Sequence, residues 1–378
     1  MQLYRVQIGA YLLKKNAEKA AVKLIERGFK AAIIKENGLH KVQIGSFRDK
    51  ANAEKLLKRA KSYKDYKNAK IMVFDDGKKE VVETPFHPLI RLVGIWLTES
   101  CEDKFGDAEV FIEYEDDKKT IAHAVLVDTG QNGTDTVKKL QKLGIKVLDA
   151  VIISHAHGDH YGYLSTIFQK FTVKHLYLPE IAGLQKYQPA YAKAIRNQEK
   201  KAAKLGIPVT YLTTGIGFTV GKIVCDCLYQ VPAESLKEHD THHFPNNQST
   251  VLRFTLDEKV RVLLTGDLQN EGNNILMNAV SKEVVESDIL KCGWHGDGNA
   301  MSEAFAKFVG ALLAWWNYHH KESNGGRGNT RKKLEKANTT VLRNFEDGDI
   351  YFDCVDGEIT VWTSKGTFKN KKYQAKKR

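Results

Sequence analysis

The sequence predicts an α/β protein of two domains, a small β-α-β, β-α-β unit ahead of a larger body of strands and helices. Three observations carry this. A strand-and-helix pattern recurs at a constant offset of 36 residues within the first 75. From about residue 90 onward, short apolar β-branched runs alternate with helical segments, as buried strands and their connections do. One such run, Val151-Ile152-Ile153, ends in Ser154-His155-Ala156-His157-Gly158-Asp159-His160 and passes into a helix-like segment over 161–169. Strand, tight turn, helix is the context of a site at the carboxyl end of a buried strand.

Composition narrows the class. A chain of 378 residues with 42% hydrophobic content has room for two or three soluble domains. No apolar run approaches the length that crosses a bilayer, so no membrane insertion is expected. The first residues enter a strand pattern at once, with none of the regions of a Sec-type signal peptide. Five cysteines (Cys101, Cys225, Cys227, Cys292 and Cys354) are odd in number and scattered. They form no disulfide framework, and Cys225-Asp226-Cys227 is too short for the usual Cys-x-x-Cys metal spacing.

Charge is unevenly placed. Of the net +12, residues 1–74 hold 18 Lys and Arg against 6 Asp and Glu. The last 14 residues, 365–378, hold seven bases and no acid, and read as a disordered basic tail. Between them, 75–364 carries 33 bases against 40 acids. The body is therefore not a strongly cationic nucleic-acid surface.

In the front unit, Val6-Gln7-Ile8-Gly9-Ala10-Tyr11 recurs as Val42-Gln43-Ile44-Gly45-Ser46-Phe47. Asn16-Ala17-Glu18-Lys19 recurs as Asn52-Ala53-Glu54-Lys55. Each copy reads as an alternating strand and an amphipathic helix, with further strands over 29–34 and 69–74, giving a four-stranded sheet with helices on one face. The Val-Gln-Ile-Gly plus aromatic pattern, present in both halves of residues 1–75, resembles the SPOR domain, the sporulation-related repeat. The resemblance implies a ferredoxin-like fold that binds peptidoglycan glycan strands on its open sheet face. Strand alternation turns Val6, Ile8, Val42 and Ile44 to the core and Gln7 and Gln43 outward. Gln7, Gln43 and Phe47 are thus the candidate sugar-facing residues. The lysine-rich helices read as solvated faces, with anionic wall polymers or nucleic acid as other partners.

A polar stretch over 76–88 reads as a linker, and the body runs over 89–364. Strands are expected over 92–97, 108–114 and 121–127, the last ending in Asp128-Thr129-Gly130. A helix over 136–143 precedes the metal-loop strand. Strands over 260–264 and 288–290 lead to Thr265-Gly266-Asp267 and to Lys291-Cys292-Gly293-Trp294-His295-Gly296-Asp297. Three strand ends then present histidine and carboxylate, the donors that zinc, manganese or iron accept.

His-x-His-x-Asp-His after a buried strand resembles the signature of the metallo-β-lactamase fold superfamily, which implies an αββα fold and a two-metal hydrolytic site. By that resemblance His155 and His157 hold one ion. Asp159, His160 and His295 hold a second, Asp267 bridges, and Asp128 orients the metal loop from behind. Asp159 doubles as the catalytic carboxylate, and zinc is the expected ion, with manganese as the alternative. Gly106-Asp107-Ala108, Asn246-Asn247-Gln248-Ser249, Leu264-Thr265-Gly266-Asp267 and the run from Asp288 to Gly296 resemble the hydrolase domain of the ComEC competence family. That resemblance implies a metal-dependent phosphodiesterase, in the competence case one that degrades a DNA strand. The chain departs from that family in Trp294, which stands where a histidine is common, and in having no clear third histidine for the first ion. His242, His243, Asn246 and Asn247 are the nearby donors, and His319-His320 lies further on.

Three function classes follow: a metal-dependent phosphodiesterase or nuclease, a wall-associated hydrolase of an ester, amide or lactone, and a wall-binding protein with a degenerate site. The wall module implies a cell-wall or extracellular location, reached by lysis or non-classical release. The lack of a signal peptide keeps a cytoplasmic location as the alternative.

Overall fold

Both copies of the repeat fold as strand and helix. The computed structural model describes residues 2–12, 14–36, 39–75, 82–83, 87–101, 104–318 and 326–378. Chain contacts divide it into two units, Met1–His87 with Asp116–Lys118, and Pro88–Glu115 with Lys119–Arg378. In the first unit the strands Gln2–Tyr11, Ala31–Glu36, Leu39–Phe47 and Lys70–Asp75 form an antiparallel sheet. In chain order of strands it reads 4-1-3-2, and a fifth short strand, Val82–Glu83, extends its edge from within the expected linker. Most of that linker lies outside the described residues. Helices Lys14–Glu26 and Lys50–Lys61 pack on one face. Ala17, Ala21 and Leu24, spaced four and three apart, are fully buried, and the Asp49 carboxylate caps the second helix by accepting from the Ala51 N–H at 2.8 Å.

The glycine of the repeated motif has a steric cause. The Tyr11 ring lies over Gly9 and the Phe47 ring over Gly45, so a Cβ at Gly45 would sit 2.5 Å from Phe47 Cε2 and 2.6 Å from Leu56 Cδ2. Gly45 also takes φ +63°, which an L side chain reaches at a cost of about 1–2 kcal/mol. Gly45→Ala is expected to destabilise this unit by at least ~2 kcal/mol, read as a lowered urea midpoint for residues 1–87. An unchanged midpoint would show that the ring is free to move aside.

The outward placement of Gln7 and Gln43 needs correction. They pair directly across adjacent strands, on the face opposite Val6 and Ile44 as alternation requires, yet Gln43 is 1% exposed and Gln7 9%. Ile34, opposite Lys41 and so on the same face, is 1% exposed as well. Alternation fixes which face a side chain takes, but it does not say whether that face meets water. Phe47 is half-buried and packs toward the core.

The second unit is four layers deep, as the αββα expectation has it. One sheet has nine strands, with Val209–Leu212, Leu176–Pro179, Ala150–Ile152, Ile121–Val127, Glu109–Tyr114 and Ile90–Gly94 followed by Ile350–Val355, Glu358–Thr363 and Lys371–Gln374. The other has seven, Gly217–Val220, Ile223–Tyr229, Val251–Leu256, Val260–Leu264, Ile289–Lys291, Leu313–Trp316 and Thr340–Arg343. Alternate residues face the two sides. Leu92, Phe111, Val125, Phe254 and Val262 fill the space between the sheets, where Phe111 and Phe254 stack at 4.0 Å. Val110, Ile112, Leu126, Leu263 and Leu290 turn to the outer helices.

The expected disordered tail is instead built into the nine-stranded sheet. Lys371–Gln374 pairs antiparallel with Glu358–Thr363. Lys372 meets Glu358 at 2.7 Å, Lys376 meets Glu286 at 3.2 Å, and the Arg378 guanidinium spans both oxygens of Asp288 at 2.9 and 3.2 Å. Composition alone reads such a segment as solvated; the acids that partner it lie 14 to 90 residues away.

Candidate metal centre

The site forms where strand ends of both sheets face one another. Ala150–Ile152 runs parallel to Ile121–Val127, so Ser154 and His155 emerge beside Asp128. Val260–Leu264 and Ile289–Lys291 are likewise parallel, and present Asp267 and His295 from the other sheet. Glu109–Tyr114 runs antiparallel to its neighbour with Glu109 opposite Val127, so Asp107 lies at the same rim.

Hydrogen bonds hold this rim rigidly. Asp128 accepts from the Ser154 N–H and Oγ–H, both at 2.7 Å, and lies 2.8 Å from His160 Nδ1. Facing that carboxylate, His160 carries its proton on Nδ1 and turns Nε2 inward. The metal loop is tied at its backbone too: Thr129 N–H donates to His160 O at 2.7 Å and Asp107 N–H to Asp159 O at 3.3 Å. Gly106, at φ +128°, lets the chain pass so close to the Asp159 carbonyl that any Cβ would collide with it. Asp128, Trp294 and His295 take left-handed φ of 56°, 43° and 50°. Backbone strain of this kind collects where surrounding structure dictates a functional geometry.

All six expected ligand side chains converge. His160 Nε2 lies 3.5 Å from Asp159 Oδ2 and 3.4 Å from Asp267 Oδ2, while His295 Nε2 lies 3.2 and 3.3 Å from the same atoms. Donors about 2.0–2.2 Å from a tetrahedral ion stand roughly 3.3–3.5 Å apart, so these spacings suit one divalent ion. His155 Nε2 is 3.1 Å from His157 Nδ1 and 4.0 Å from Asp267 Oδ2, on another side of the same carboxylate. His160 Nε2 is buried without a hydrogen-bond partner among the described residues, as a ligand atom reserved for an ion is. The donors around His160 and His295 therefore fit a divalent ion, with His155 and His157 beside them.

Electrostatics favour cations here. Burial lowers the affinity of His160 and His295 for a proton, yet the surrounding carboxylates, Asp267 foremost, raise both well above the ordinary histidine range. Burial likewise opposes charge on Asp159 and Asp267, but the imidazoles of His160 and His295 hold both well below the usual carboxylate range. His155 is the opposite case. Burial, with His160 beside it, pushes it well down and keeps it a neutral donor.

Two further buried residues complete the site. Lys291 ion-pairs with Asp107 and lies 3.8 Å from Asp267 Oδ1, and Asp107 in turn reaches His295 Nδ1 at 3.2 Å. Sequence reading gave this pair no role; a lysine following Ile289-Leu290 in a buried strand is the signal that could have found it. Trp294 holds no place among the ligands; its ring packs edgewise on His242 and His243 at 5.8 and 6.1 Å. Among the other donors for the first ion, His243 is bound to Asp240 at 2.7 Å and His242 is exposed, its ring 6.1 Å from that of His157. Asn247 is spent on the backbone of Gln269, Gly272 and His243. Asn246 buries a side-chain oxygen with no partner among the described residues. His319 and His320 lie outside the described residues.

Comparison with known proteins agrees with this architecture. Residues 119–332 match the metallo-beta-lactamase superfamily and residues 1–71 the SPOR domain. Over 216 residues, 55% of this chain, identity to ComE operon protein 3 of Bacillus subtilis (strain 168) is 26%; the match spans 25% of that protein, so this chain corresponds to about a quarter of its length. The peptidoglycan binding domain of the B. subtilis cell wall lytic enzyme CwlC is 39% identical over 20% of this chain and 89% of its own, with a TM-score of 0.17. CmlA, a diiron β-hydroxylase from Streptomyces venezuelae, is 12% identical over 70% of this chain and 54% of its own, with a TM-score of 0.44. The chain belongs to the metallo-beta-lactamase superfamily and carries a SPOR domain ahead of its metallo-beta-lactamase domain.

Proposed function

We propose that this chain is a metal-dependent phosphodiesterase, with DNA the first candidate substrate, held at peptidoglycan by its SPOR domain. The observation that carries the hydrolase reading is the convergence of His160, His295, Asp159 and Asp267 at ligand spacing, with His155 and His157 beside them. Two divalent ions, zinc first and manganese as the alternative, would supply Lewis acidity and an activated water there. The chain's own residues orient the reaction. Asp128 and Asp107 fix the two imidazoles from behind, and Asp159, in contact with both His160 and His295, is the carboxylate able to take a proton beside the scissile group. Because this assembly forms without Trp294, the tryptophan does not favour a degenerate site.

The phosphodiester preference is supported by the resemblance to the ComEC branch. One observation favours the second reading, a wall ester, amide or lactone. Three of the seven tail bases that would attract a polyanion, Lys372, Lys376 and Arg378, are paired with Glu358, Glu286 and Asp288, within a chain whose residues 75–364 are net acidic. The test is turnover of a chromogenic phosphodiester, single-stranded DNA and soluble wall fragments by the full chain, with and without chelator. Chelator-sensitive cleavage of phosphodiester and DNA is expected. Cleavage of wall fragments alone would move the protein to the second reading, and no turnover of any of them to the third.

The SPOR reading predicts that residues 1–87, with the edge strand included, sediment with purified peptidoglycan. With both glutamines buried, Gln7→Ala with Gln43→Ala is expected to lower the stability of this fragment as well as its retention. Loss of retention in moderate salt alone would point to charge attraction by the lysine-rich helices.

A further inference from the structure

We propose that Asp107 and Lys291 are a positioning pair that fixes His295 toward the second ion and withholds Asp107 from both ions. This rests on reading His295, Asp159 and Asp267 as ligands. Asp107 has the chemistry and location of a ligand itself. One of its oxygens, with atoms of His160, Asp267 and His295, falls in a group whose members all lie within 4.8 Å of one another. Yet both of its oxygens are engaged. Oδ2 is held by the Lys291 ammonium and Oδ1 faces His295 Nδ1 at 3.2 Å. Accepting the Nδ1 proton leaves the Nε2 lone pair of His295 aimed at the space it shares with Asp159 and Asp267. Lys291 is anchored in turn by the Gly266 carbonyl at 3.1 Å, on the loop that carries Asp267. The pair thus links the two strand ends that deliver His295 and Asp267.

Stability does not explain such a pair. Asp107 is 0% exposed and Lys291 1%, and a fully buried ion pair is often no better for folding than apolar residues of the same volume. The charged or ionisable neighbours with which it makes close contacts are His295 at 3.2 Å, Asp267 at 3.8 Å and His160 at 3.9 Å, all ligands in this reading.

The test is calorimetric titration of Zn²⁺ into the chelator-stripped full chain, with thermal unfolding recorded in parallel. D107N and K291M are each expected to weaken the second ion roughly 10–100-fold while leaving the first within about threefold. D107N/K291M, which leaves no lone buried charge, is expected to fold even where a single variant does not, and to bind the second ion no more weakly than the weaker single. A double variant that binds both ions as the wild type does overturns the proposal, whatever happens to its melting temperature. H295A separates the two levels of the argument. Loss of the second ion in H295A keeps the reading of the centre, whereas retention of both overturns that reading and the pair with it.

Discussion

Asp267→Ala is expected to lose both ions together and to reduce turnover by at least ~1000-fold, beyond the 10–100-fold range typical of residues that merely support a ligand. The reason lies in reach. Asp267 Oδ2 stands 3.3 Å from His295 Nε2, 3.4 Å from His160 Nε2 and 4.0 Å from His155 Nε2, so a single oxygen borders both halves of the centre. Its position is imposed by the backbone, because the Asp267 N–H donates to Ser249 Oγ at 2.9 Å. His155→Ala is the contrasting variant, expected to lose the first ion and keep the second. Elemental analysis of the purified proteins reads the difference directly. Two tightly held ions in Asp267→Ala would remove the bridging role.

The largest effect on stability is expected far from the ions, at Arg378. Asp288 is fully buried at the head of the strand that ends in Lys291. It accepts from Arg378 Nη1 and Nη2, and from the backbone N–H groups of Arg261 and Lys376 at 2.9 Å each. Arg378→Ala strands that carboxylate with backbone donors only. Removing the partner of a buried carboxylate costs roughly 3–5 kcal/mol, and the remaining donors together with the exposure of Arg378 point to the lower end, about 3 kcal/mol. Thermal unfolding should register this as a drop of roughly 6–10 °C. A change within about 1 °C would mean that the guanidinium contributes little. A body cut at residue 364 is accordingly a damaged fold, and any loss of DNA cleavage in it says nothing about charge. Neutralising exposed lysines of residues 1–74 in the intact chain isolates the electrostatic contribution instead.

How far the sequence carried depends on how local each signal is. The Val-Gln-Ile-Gly repeat and the His-x-His-x-Asp-His loop are contiguous, so their strands and turns, and the convergence of the loop's side chains, were legible. Asp267 and His295 were legible because each follows an apolar run that could only be a buried strand. Asp107 carried no role in the reading because it precedes its strand; only the antiparallel pairing of Glu109 with Val127 brings it to the same rim as Asp128. The burial of Gln43 was hidden for a different reason, since period-two alternation names a face and not its cover. The last strand was hidden by its own lysines, whose partners are set by tertiary pairing alone.

The backbone ties of the metal loop bear on how fast the centre loads. Thr129 N–H to His160 O, Asp107 N–H to Asp159 O and Gly130 N–H to Asp107 O stitch three separate segments together without involving any ligand atom. Loading of each ion should then be a single kinetic phase, limited by shedding the ion's hydration water and not by a loop searching for its shape. The amide protons of Thr129, Gly130 and Asp107 should exchange with deuterium as slowly in chelator-stripped protein as in the metal-replete form.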